Sequence, residues 1–227
     1  METRERVLRA AADLLADGGR DAVSTRAVSA AAGIKAPTLY RLFGDKDGLL
    51  NAVAAHGFAE YLERKKELAP SDDPVEDLRR GWDLNVDFGL SRPHFYELMF
   101  GGDAAQQTEA GRTAAGILRG IVTRVAEAGR LRMSVERAIQ ITHAMCVGVT
   151  LSLIAAAEPD LEVSAIAREA ALRATVTDLP APAEVADVPS RAVALRTALP
   201  PAGETPLSEA EHALLSEWLD RLANASS

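Results

Sequence analysis

Residues 24–46, STRAVSAAAGIKAPTLYRLFGDK, constrain this chain more than any other segment. Ser24 is a candidate N-cap for a first short helix, and Gly33 supplies a sharp turn with positive φ before a second one. The second helix would pack through Leu39 and Phe43, which leaves polar side chains on its outer face. The other side chains predicted to pack between or beside these helices are Val28, Ser29, Ala31, Ala32 and Leu42. The pattern is that of a helix-turn-helix, which places its second helix in the DNA major groove.

The charge distribution agrees with that interpretation. The formal net charge of the chain is -8, which taken alone argues against a nucleic-acid-binding protein. Residues 1–50 nevertheless carry eight basic and seven acidic side chains, so the acidic excess lies entirely after residue 50. Within residues 20–46 there are five basic residues and two acidic ones. The positive charge that phosphates require is therefore found where the motif is found.

The motif also resembles a known family. Thr38-Leu39-Tyr40-Arg41-Leu42-Phe43, followed by a turn with Lys46, closely resembles the N-terminal domain of TetR-family bacterial regulators over residues 3–55. The resemblance implies an all-α fold, with an N-terminal three-helix helix-turn-helix domain and a larger helical domain for ligand binding and dimerisation. We place the DNA-binding domain at residues 1–46, the effector-binding and dimerisation domain at 47–178, and a Pro-rich arm with a terminal helix at 179–227.

The same resemblance assigns DNA contacts residue by residue. Lys35, Ala36 and Arg41 would face the bases, and the phosphate contacts would be Thr25, Arg26, Thr38, Tyr40 and Lys46. The chemistry of the side chains leaves Arg41 two roles, a bidentate bond to a guanine edge or a phosphate contact. Lys35 stands where the family usually has a small hydroxyl residue, and Pro37 replaces a common glycine. The first change predicts a weaker helix cap, and the second is tolerated in a first helical turn.

The remainder of the chain predicts further helices. Pro70–Pro74 is a break, Pro93 starts a short helix through Phe100, and a long uncharged helix runs from Ser134 to Ala157. Residues 179–206 contain six of the eleven prolines and predict a linker or irregular arm. A Ser-x-x-Glu capping box at Ser208 then starts a terminal helix. Its predicted apolar face, which we expect to be covered by the body or by a partner subunit, consists of Leu214, Leu215, Trp218 and Leu222.

An aromatic cluster is the candidate effector site. Seven of the ten aromatic residues lie between residues 58 and 100, the region that lines a ligand cavity in the TetR family. Aromatic residues at helical spacing also simply fill a core, and both interpretations remain open. The predicted ligand-binding residues are Trp82, Phe88, Phe95, Tyr96, Met99, His143 and Met145. No cofactor or catalytic residue is predicted. No metal site is predicted either, because His143 and Cys146 form only an incomplete ligand pair.

The long uncharged helix bears on assembly and location. Its polar residues, including Gln140 and His143, favour burial in the protein or between subunits over a membrane span. By resemblance, it and the following helix form a four-helix dimer interface with a second copy. A single cysteine and a charged N-terminus predict a cytoplasmic protein without a disulfide framework.

These patterns together predict a homodimeric repressor that binds double-stranded, near-palindromic operator DNA and is released by a small apolar or aromatic effector. One alternative is a DNA-binding regulator with a filled core that responds to a protein partner through the terminal arm. A remote alternative is a helical enzyme or carrier that only mimics the motif.

Overall fold

The computed structural model describes residues 2–101, 109–177 and 188–224. Over these ranges the chain is helical, with one isolated antiparallel bridge between Leu131 and Val176. The helices are α1 (Thr3–Ala22), α2 (Thr25–Ala31), α3 (Ala36–Phe43), α4 (Lys46–Lys66), α5 (Pro74–Ser91), α6 (Pro93–Phe100), α7 (Glu109–Glu127), α8 (Val135–Ala155), α9 (Leu161–Thr175), α10 (Val188–Ala198) and α11 (Glu209–Ala223). The predicted all-α fold is confirmed.

Two compact units divide the chain. The first comprises Met1–Ala69, Asp83–Ala115 and Thr150–Pro159, and the second comprises Pro70–Trp82, Gly116–Val149 and Asp160–Ser227. Each unit therefore draws on separate stretches of sequence. The predicted division into residues 1–46, 47–178 and 179–227 stays a prediction.

The core of the first unit begins on α1, where Val7, Ala11 and Leu15 are fully buried at helical spacing. The helical conformation is interrupted at Gly18 and Gly19, and Gly19 has φ 67° and ψ -166°. A side chain at Gly19 would be strained by that conformation and would lie 3.3 Å from the His94 ring. The glycine therefore lets the end of α1 and the start of α6 approach closely.

The predicted N-cap of α2 is confirmed, and α4 has an N-cap of the same kind. Ser24 Oγ accepts a hydrogen bond from the Ala27 amide, and Asp45 Oδ1 accepts one from the Gly48 amide at 2.7 Å. One predicted packing residue is wrong, since Ala31 is exposed. Ser29 and Ala32, predicted as small residues at the helix crossing, are both buried, and the inward face of α2 runs through them and Val28.

A hydrogen-bonded polar cluster lies inside the first unit. Tyr96 donates its hydroxyl hydrogen to Asn85 Oδ1 at 2.6 Å, and Asn85 Nδ2 donates to the Tyr61 hydroxyl oxygen at 2.9 Å. Thr150 Oγ1 lies 3.4 Å from the same Asn85 oxygen. All four side chains are buried, so α4, α5, α6 and the end of α8 meet through Asn85. Satisfied buried polar groups of this kind fix a unique arrangement of helices.

Ion pairs take the corresponding place in the second unit. The buried carboxylate of Asp77 accepts hydrogen bonds from Arg124, Arg80 and Ser71. Burial alone would raise the pKa of Asp77, but the bonds from Ser71 and Arg124 outweigh it and hold that pKa below its ordinary value. On the same unit, hydrogen bonds from Arg79 lower the pKa of Glu169, against a smaller opposing effect of burial.

The predicted irregular arm is wrong in part. Residues 178–187 lie outside the described residues, but Val188–Ala198 forms helix α10. Pro189 is compatible with it because the first turn of a helix has no internal partner for a backbone amide. Ala192 and Val193 of α10 are buried in the core of the second unit, together with Leu219 and Ala223 of α11.

The terminal helix α11 starts with the predicted capping box, formed by Ser208 and Glu211. Its predicted inward face is only partly right: Leu215 packs against the core, but the buried positions are Leu219 and Ala223. Three apolar side chains remain exposed within this chain, and we call them the α11 ridge: Leu214, Trp218 and Leu222. Trp218 is 53% exposed, so the body of the same chain does not cover it, and the expected cover by a partner subunit stays a prediction.

Helix α8, at Val135–Ala155, has a mean hydropathy of 1.7 over its most apolar window, of which 28% is buried. By length and composition alone it is the one described helix that could cross a membrane. A core or interface helix passes the same test, and a single such helix is weak evidence for a membrane span.

Candidate nucleic-acid interface

The turn between α2 and α3 sets the direction of α3. Gly33 has φ 64°, and its amide donates to the Ala30 carbonyl, while the Ile34 amide donates to the Ser29 carbonyl. These two bonds and the left-handed glycine constitute a Schellman motif at the end of α2. The predicted positive φ at Gly33 is confirmed. A side chain at this position would meet no atom within 4 Å, so the requirement for glycine is conformational.

Helix α3 is anchored on one side only. Leu39 is fully buried in the core of the first unit, and Leu42 and Phe43 pack against that core. Lys35 forms no side-chain cap, as the sequence predicts, and Pro37 lies in the first turn. The opposite side of the helix points to solvent and carries Ala36, Tyr40 and Arg41.

The end of α3 and the start of α4 approach unusually closely. A Cβ atom on Gly48 would lie 2.0 Å from the Phe43 carbonyl oxygen, closer than any atoms can pack. Gly44 ends α3 with φ 80°, and its amide donates to the Tyr40 carbonyl. Asp45 then caps α4, so that Lys46 stands at the first helical position with its side chain exposed. The amide dipoles of the α4 N-terminus add to the positive charge of Lys46.

Two arginines of α1 support this arrangement, and sequence reasoning missed both. Arg6 Nε donates to the Ala32 carbonyl at 3.0 Å, which satisfies a carbonyl at the end of α2 from 26 residues away. The guanidinium carbon of Arg4 lies 5.3 Å from the centroid of the Phe43 ring, within cation–π range. Nothing local in the sequence marks either residue, because both contacts depend on the folded position of α1.

The eight predicted DNA contacts all belong to the first unit. Thr25 and Thr38 are half-buried, and the others are exposed; Tyr40 is 48% exposed. Four of the exposed residues are cations that pair with no carboxylate in the described part of the chain: Arg26, Lys35, Arg41 and Lys46. The neighbouring Arg20, by contrast, lies 3.6 Å from Asp47. We call these four cations of the α2–α4 segment, together with the exposed Tyr40, the α3 surface. The charge of its cations is not compensated by a carboxylate of the described protein.

The predicted ligand-binding residues do not all fall together. Phe88, Tyr96 and Met99 are fully buried in the first unit, where the Tyr96 ring lies 4.5 Å from that of Phe100. The Trp82 indole belongs to the second unit and donates to Ser164 Oγ at 3.0 Å. His143 and Met145, both half-buried, are also in the second unit. Their common role in one site stays a prediction.

Phe95, the remaining predicted ligand residue, belongs to the first unit. It packs in the core and also lines a cavity of about 560 Å³ on that unit. The other lining residues of this cavity, among them Arg9, His56 and Arg92, are not in the predicted set. A second cavity of about 430 Å³ lies on the second unit and includes Arg119 and Arg196. No group of His, Cys, Asp and Glu able to hold a metal ion occurs among the described residues.

The N-terminal part of the chain matches a known protein family, and the chain is similar to several solved structures. Residues 7–53 match the family model described as bacterial regulatory proteins, tetR family. No curated protein matches the sequence. A solved structure of a protein of unknown function from Rhodococcus sp. RHA1 is similar, with 25% identity and a TM-score of 0.63 over 78% of this chain and 97% of that one.

Two further solved structures share the fold. A possible TetR family transcriptional regulator from Streptomyces coelicolor A3(2) has 20% identity and a TM-score of 0.56 over 97% of both chains. A TetR variant from Acinetobacter baumannii AYE, in complex with minocycline, has 22% identity and a TM-score of 0.56 over 73% of this chain and 89% of that one.

Proposed function

Because the chain carries the N-terminal domain of the tetR family of bacterial regulatory proteins on a TetR-like fold, we propose that it is a cytoplasmic repressor. It would bind a near-palindromic operator as a homodimer and be released by a small apolar or aromatic effector. The observation that carries the DNA-binding role is the α3 surface, where four exposed cations pair with no described carboxylate. Phosphates would compensate that charge in the complex.

The residues of this surface divide into two roles. Lys35, Ala36 and Arg41 lie on the exposed side of α3 and its N-terminal approach, where a recognition helix meets base edges. The phosphate contacts are assigned to Thr25, Arg26, Thr38, Tyr40 and Lys46. Tyr40 is 48% exposed and its neighbour Leu39 is fully buried, so the backbone that carries the phenol is anchored in the core. Phosphate contacts position the protein, and base contacts supply sequence preference.

Exposed apolar side chains on the second unit support a homodimer. Leu161, Val163 and Ile166 of α9 are all about half exposed or more within one chain. Helix α8 is apolar over most of its length yet only partly buried. Packing α8 and α9 against the same helices of a second copy would cover both surfaces. The two α3 helices would then read half-sites about one DNA turn apart.

Two kinds of signal remain candidates for release. The buried aromatic residues of the first unit, with Asn85 as a polar centre, support a small apolar or aromatic effector that carries one hydrogen-bonding group. The minocycline complex of the related Acinetobacter structure is in line with this. The full burial of Phe88, Tyr96 and Met99 favours the alternative of a filled core and a protein partner.

The DNA-binding role is tested by fluorescence anisotropy on a labelled duplex from the upstream region of the gene, at two salt concentrations and with excess nonspecific DNA. We expect tight binding that survives the competitor. Arg41→Ala should relax base preference, and Lys46→Ala should weaken binding to all sequences and reduce the salt slope by about one. Identical behaviour of the two variants would contradict the division of roles, and competitor-sensitive binding would contradict autoregulation.

The effector is tested by thermal-shift screening with apolar and aromatic compounds on the wild-type protein. A ligand that binds the folded first unit should raise the melting temperature. It should also lower operator affinity if it binds the DNA-free conformation more tightly than the DNA-bound one. The absence of a shift with every compound class would favour the protein-partner alternative.

A further inference from the structure

The first unit has open space beside its buried aromatic residues. Phe88, Tyr96 and Met99 are fully buried, whereas Phe95 of α6 also lines the cavity of about 560 Å³ on that unit. We call this space the α1–α4–α6 cavity, because its lining comes from α1, from α4 and from the start of α6. Small-molecule sites in proteins typically have volumes of about 300–1,000 Å³. The cavity is therefore large enough for an effector.

Part of the cavity lining is apolar. Leu8, Ala12 and Ala16 line it and follow at intervals of four residues, so they lie on one face of α1. Leu8 and Ala12 also pack against the core that contains Phe95, which holds this part of the lining in place. The apolar or aromatic body of a ligand would cover these side chains.

The charged residues of the lining carry a net negative charge. Arg92 donates a hydrogen bond to Glu60 at 3.2 Å, and the charges of these two cancel. The lining residues of α1 include the carboxylates Glu5 and Asp13 but one guanidinium, that of Arg9. None of these three forms an ion pair within the described chain. A cation in the cavity would compensate the excess carboxylate, and an anion would be repelled by it.

The helices around the cavity also carry the DNA-binding surface. Arg6 of α1 donates to the Ala32 carbonyl at the end of α2, and α4 begins at Lys46 of the α3 surface. A ligand that contacts α1, α4 and Phe95 together binds most tightly to one arrangement of these helices. Occupancy of the cavity is therefore coupled to the position of the α3 surface.

We propose that the α1–α4–α6 cavity is the effector site and that it binds a small organic cation, an apolar or aromatic body with one protonated amine. The inference rests on the proposed function and specifies where the effector binds and which charge it carries. The amine would be attracted by Glu5 and Asp13, and the body would cover Leu8 and Phe95.

The first test is isothermal titration calorimetry of the wild-type protein with 2-phenylethylamine. It is made at about pH 8, where imidazole groups are neutral and an alkyl amine is protonated. Neutral 2-phenylethanol and anionic 3-phenylpropionate are the controls for charge. We expect the amine to bind at least about threefold more tightly than either control, the size of an exposed ion pair. The proposal is overturned if the amine does not bind at millimolar concentration, or if the carboxylate binds equally well.

Two pairs of variants at exposed positions locate the site. Asp13→Asn removes a carboxylate from the cavity lining, and Asp17→Asn removes one from the next turn of α1, outside it. Ala16→Phe fills part of the cavity, and Ala59→Phe places the same ring on α4 outside it. We expect Asp13→Asn to weaken amine binding about threefold, Ala16→Phe at least about tenfold, and each control variant less than about twofold. Equal effects within either pair would overturn the proposal.

Operator affinity separates this inference from the proposed function. A saturating concentration of the amine should lower the affinity of the wild-type protein for upstream DNA at least about threefold and leave that of Ala16→Phe unchanged. Amine binding without any change in operator affinity would overturn the effector role of the cavity. Failure of the ligand-free wild-type protein to bind upstream DNA would instead contradict the proposed function, since calorimetry with the amine requires no DNA.

Discussion

The two ends of the chain differ in what they leave uncovered. The α3 surface exposes cations and a phenol on a helix whose N-cap, Lys35, makes no capping bond. Helix α11 exposes an apolar ridge on a helix whose capping box is complete. Helix α3 therefore lacks a stabilising cap at the position of an exposed cation, whereas α11 has a complete cap and exposes apolar side chains. The buried polar centres differ too: that of the first unit is the neutral Asn85, whereas that of the second is the carboxylate Asp77, which accepts hydrogen bonds from two arginines.

The largest expected effect comes from a substitution at Gly48, and the same substitution at Gly120 serves as its control. Gly48→Ala in the first unit forces a Cβ against the Phe43 carbonyl oxygen, and we expect a loss of about 3 kcal/mol or more in unfolding free energy, with loss of DNA binding. Gly120→Ala, on α7 of the second unit, meets no atom within 4 Å and should stabilise the protein by about 0.5–1 kcal/mol. Urea denaturation measures both. Comparable effects would contradict the close approach of α3 and α4.

A smaller effect is expected at the polar centre of the first unit. Asn85→Ala removes the acceptor of the Tyr96 hydroxyl and the donor to the Tyr61 oxygen, and should cost about 2–3 kcal/mol in unfolding free energy. The control is Asn51→Ala, which alters an exposed asparagine on α4 and should cost less than about 0.5 kcal/mol. A small loss for Asn85→Ala would mean that the hydrogen bonds do not hold these helices together.

As the pH is lowered, we expect the second unit to lose stability at a higher pH than the first. Hydrogen bonds from Arg79 and Arg119 hold the pKa values of Glu169 and Glu136 below their ordinary range, and that of Asp77 is lowered despite its burial. Their stabilisation is complete above the unfolded-state values near about pH 4, and it is lost as the pH falls through the lower folded-state values.

Hydrogen exchange after brief exposure to a series of acidic pH values measures this order. Amides of Gly116–Val149 should lose protection at a higher pH than those of the first unit. Simultaneous loss in both units would show that the ion pairs do not set the acid stability of the second.

The smallest expected effect lies at the helix cap. Lys35→Ser supplies the missing N-cap of α3 and should raise the unfolding free energy by about 0.5–1 kcal/mol. It should also weaken DNA binding and reduce the salt slope by about one, because it removes a cation from the α3 surface. A more stable variant with unchanged DNA affinity would show that Lys35 has no contact role.

Local signals explain which parts of the fold the sequence predicts. Ser24, Gly33, Asp45 and Ser208 act within a few residues of their own positions, so the caps and turns of the corresponding helices could be read from the chain. Pro189 contributed to the wrong prediction of an irregular arm. From the sequence alone, a proline in the first turn of a helix cannot be told from one that breaks a helix. The DNA contacts rest on a motif of the same local kind and stay predictions.

Contacts between distant segments explain what the sequence did not predict. Helix α11 has apolar residues at 214, 215, 218, 219 and 222, a stripe wide enough to face inward along either edge. Only the folded core decides that Leu219 is buried and Trp218 exposed. The bond from Arg6 to Ala32 and the centre at Asn85 depend in the same way on segments brought together by folding.

The division of the chain into two units also sorts its ultraviolet chromophores. All three tyrosines, Tyr40, Tyr61 and Tyr96, belong to the first unit, and both tryptophans, Trp82 and Trp218, belong to the second. The unmodified protein thus carries a separate intrinsic absorbance and emission signal for each half. Melting curves recorded at tyrosine and tryptophan wavelengths would coincide if the halves unfold as one cooperative block and would separate if they do not.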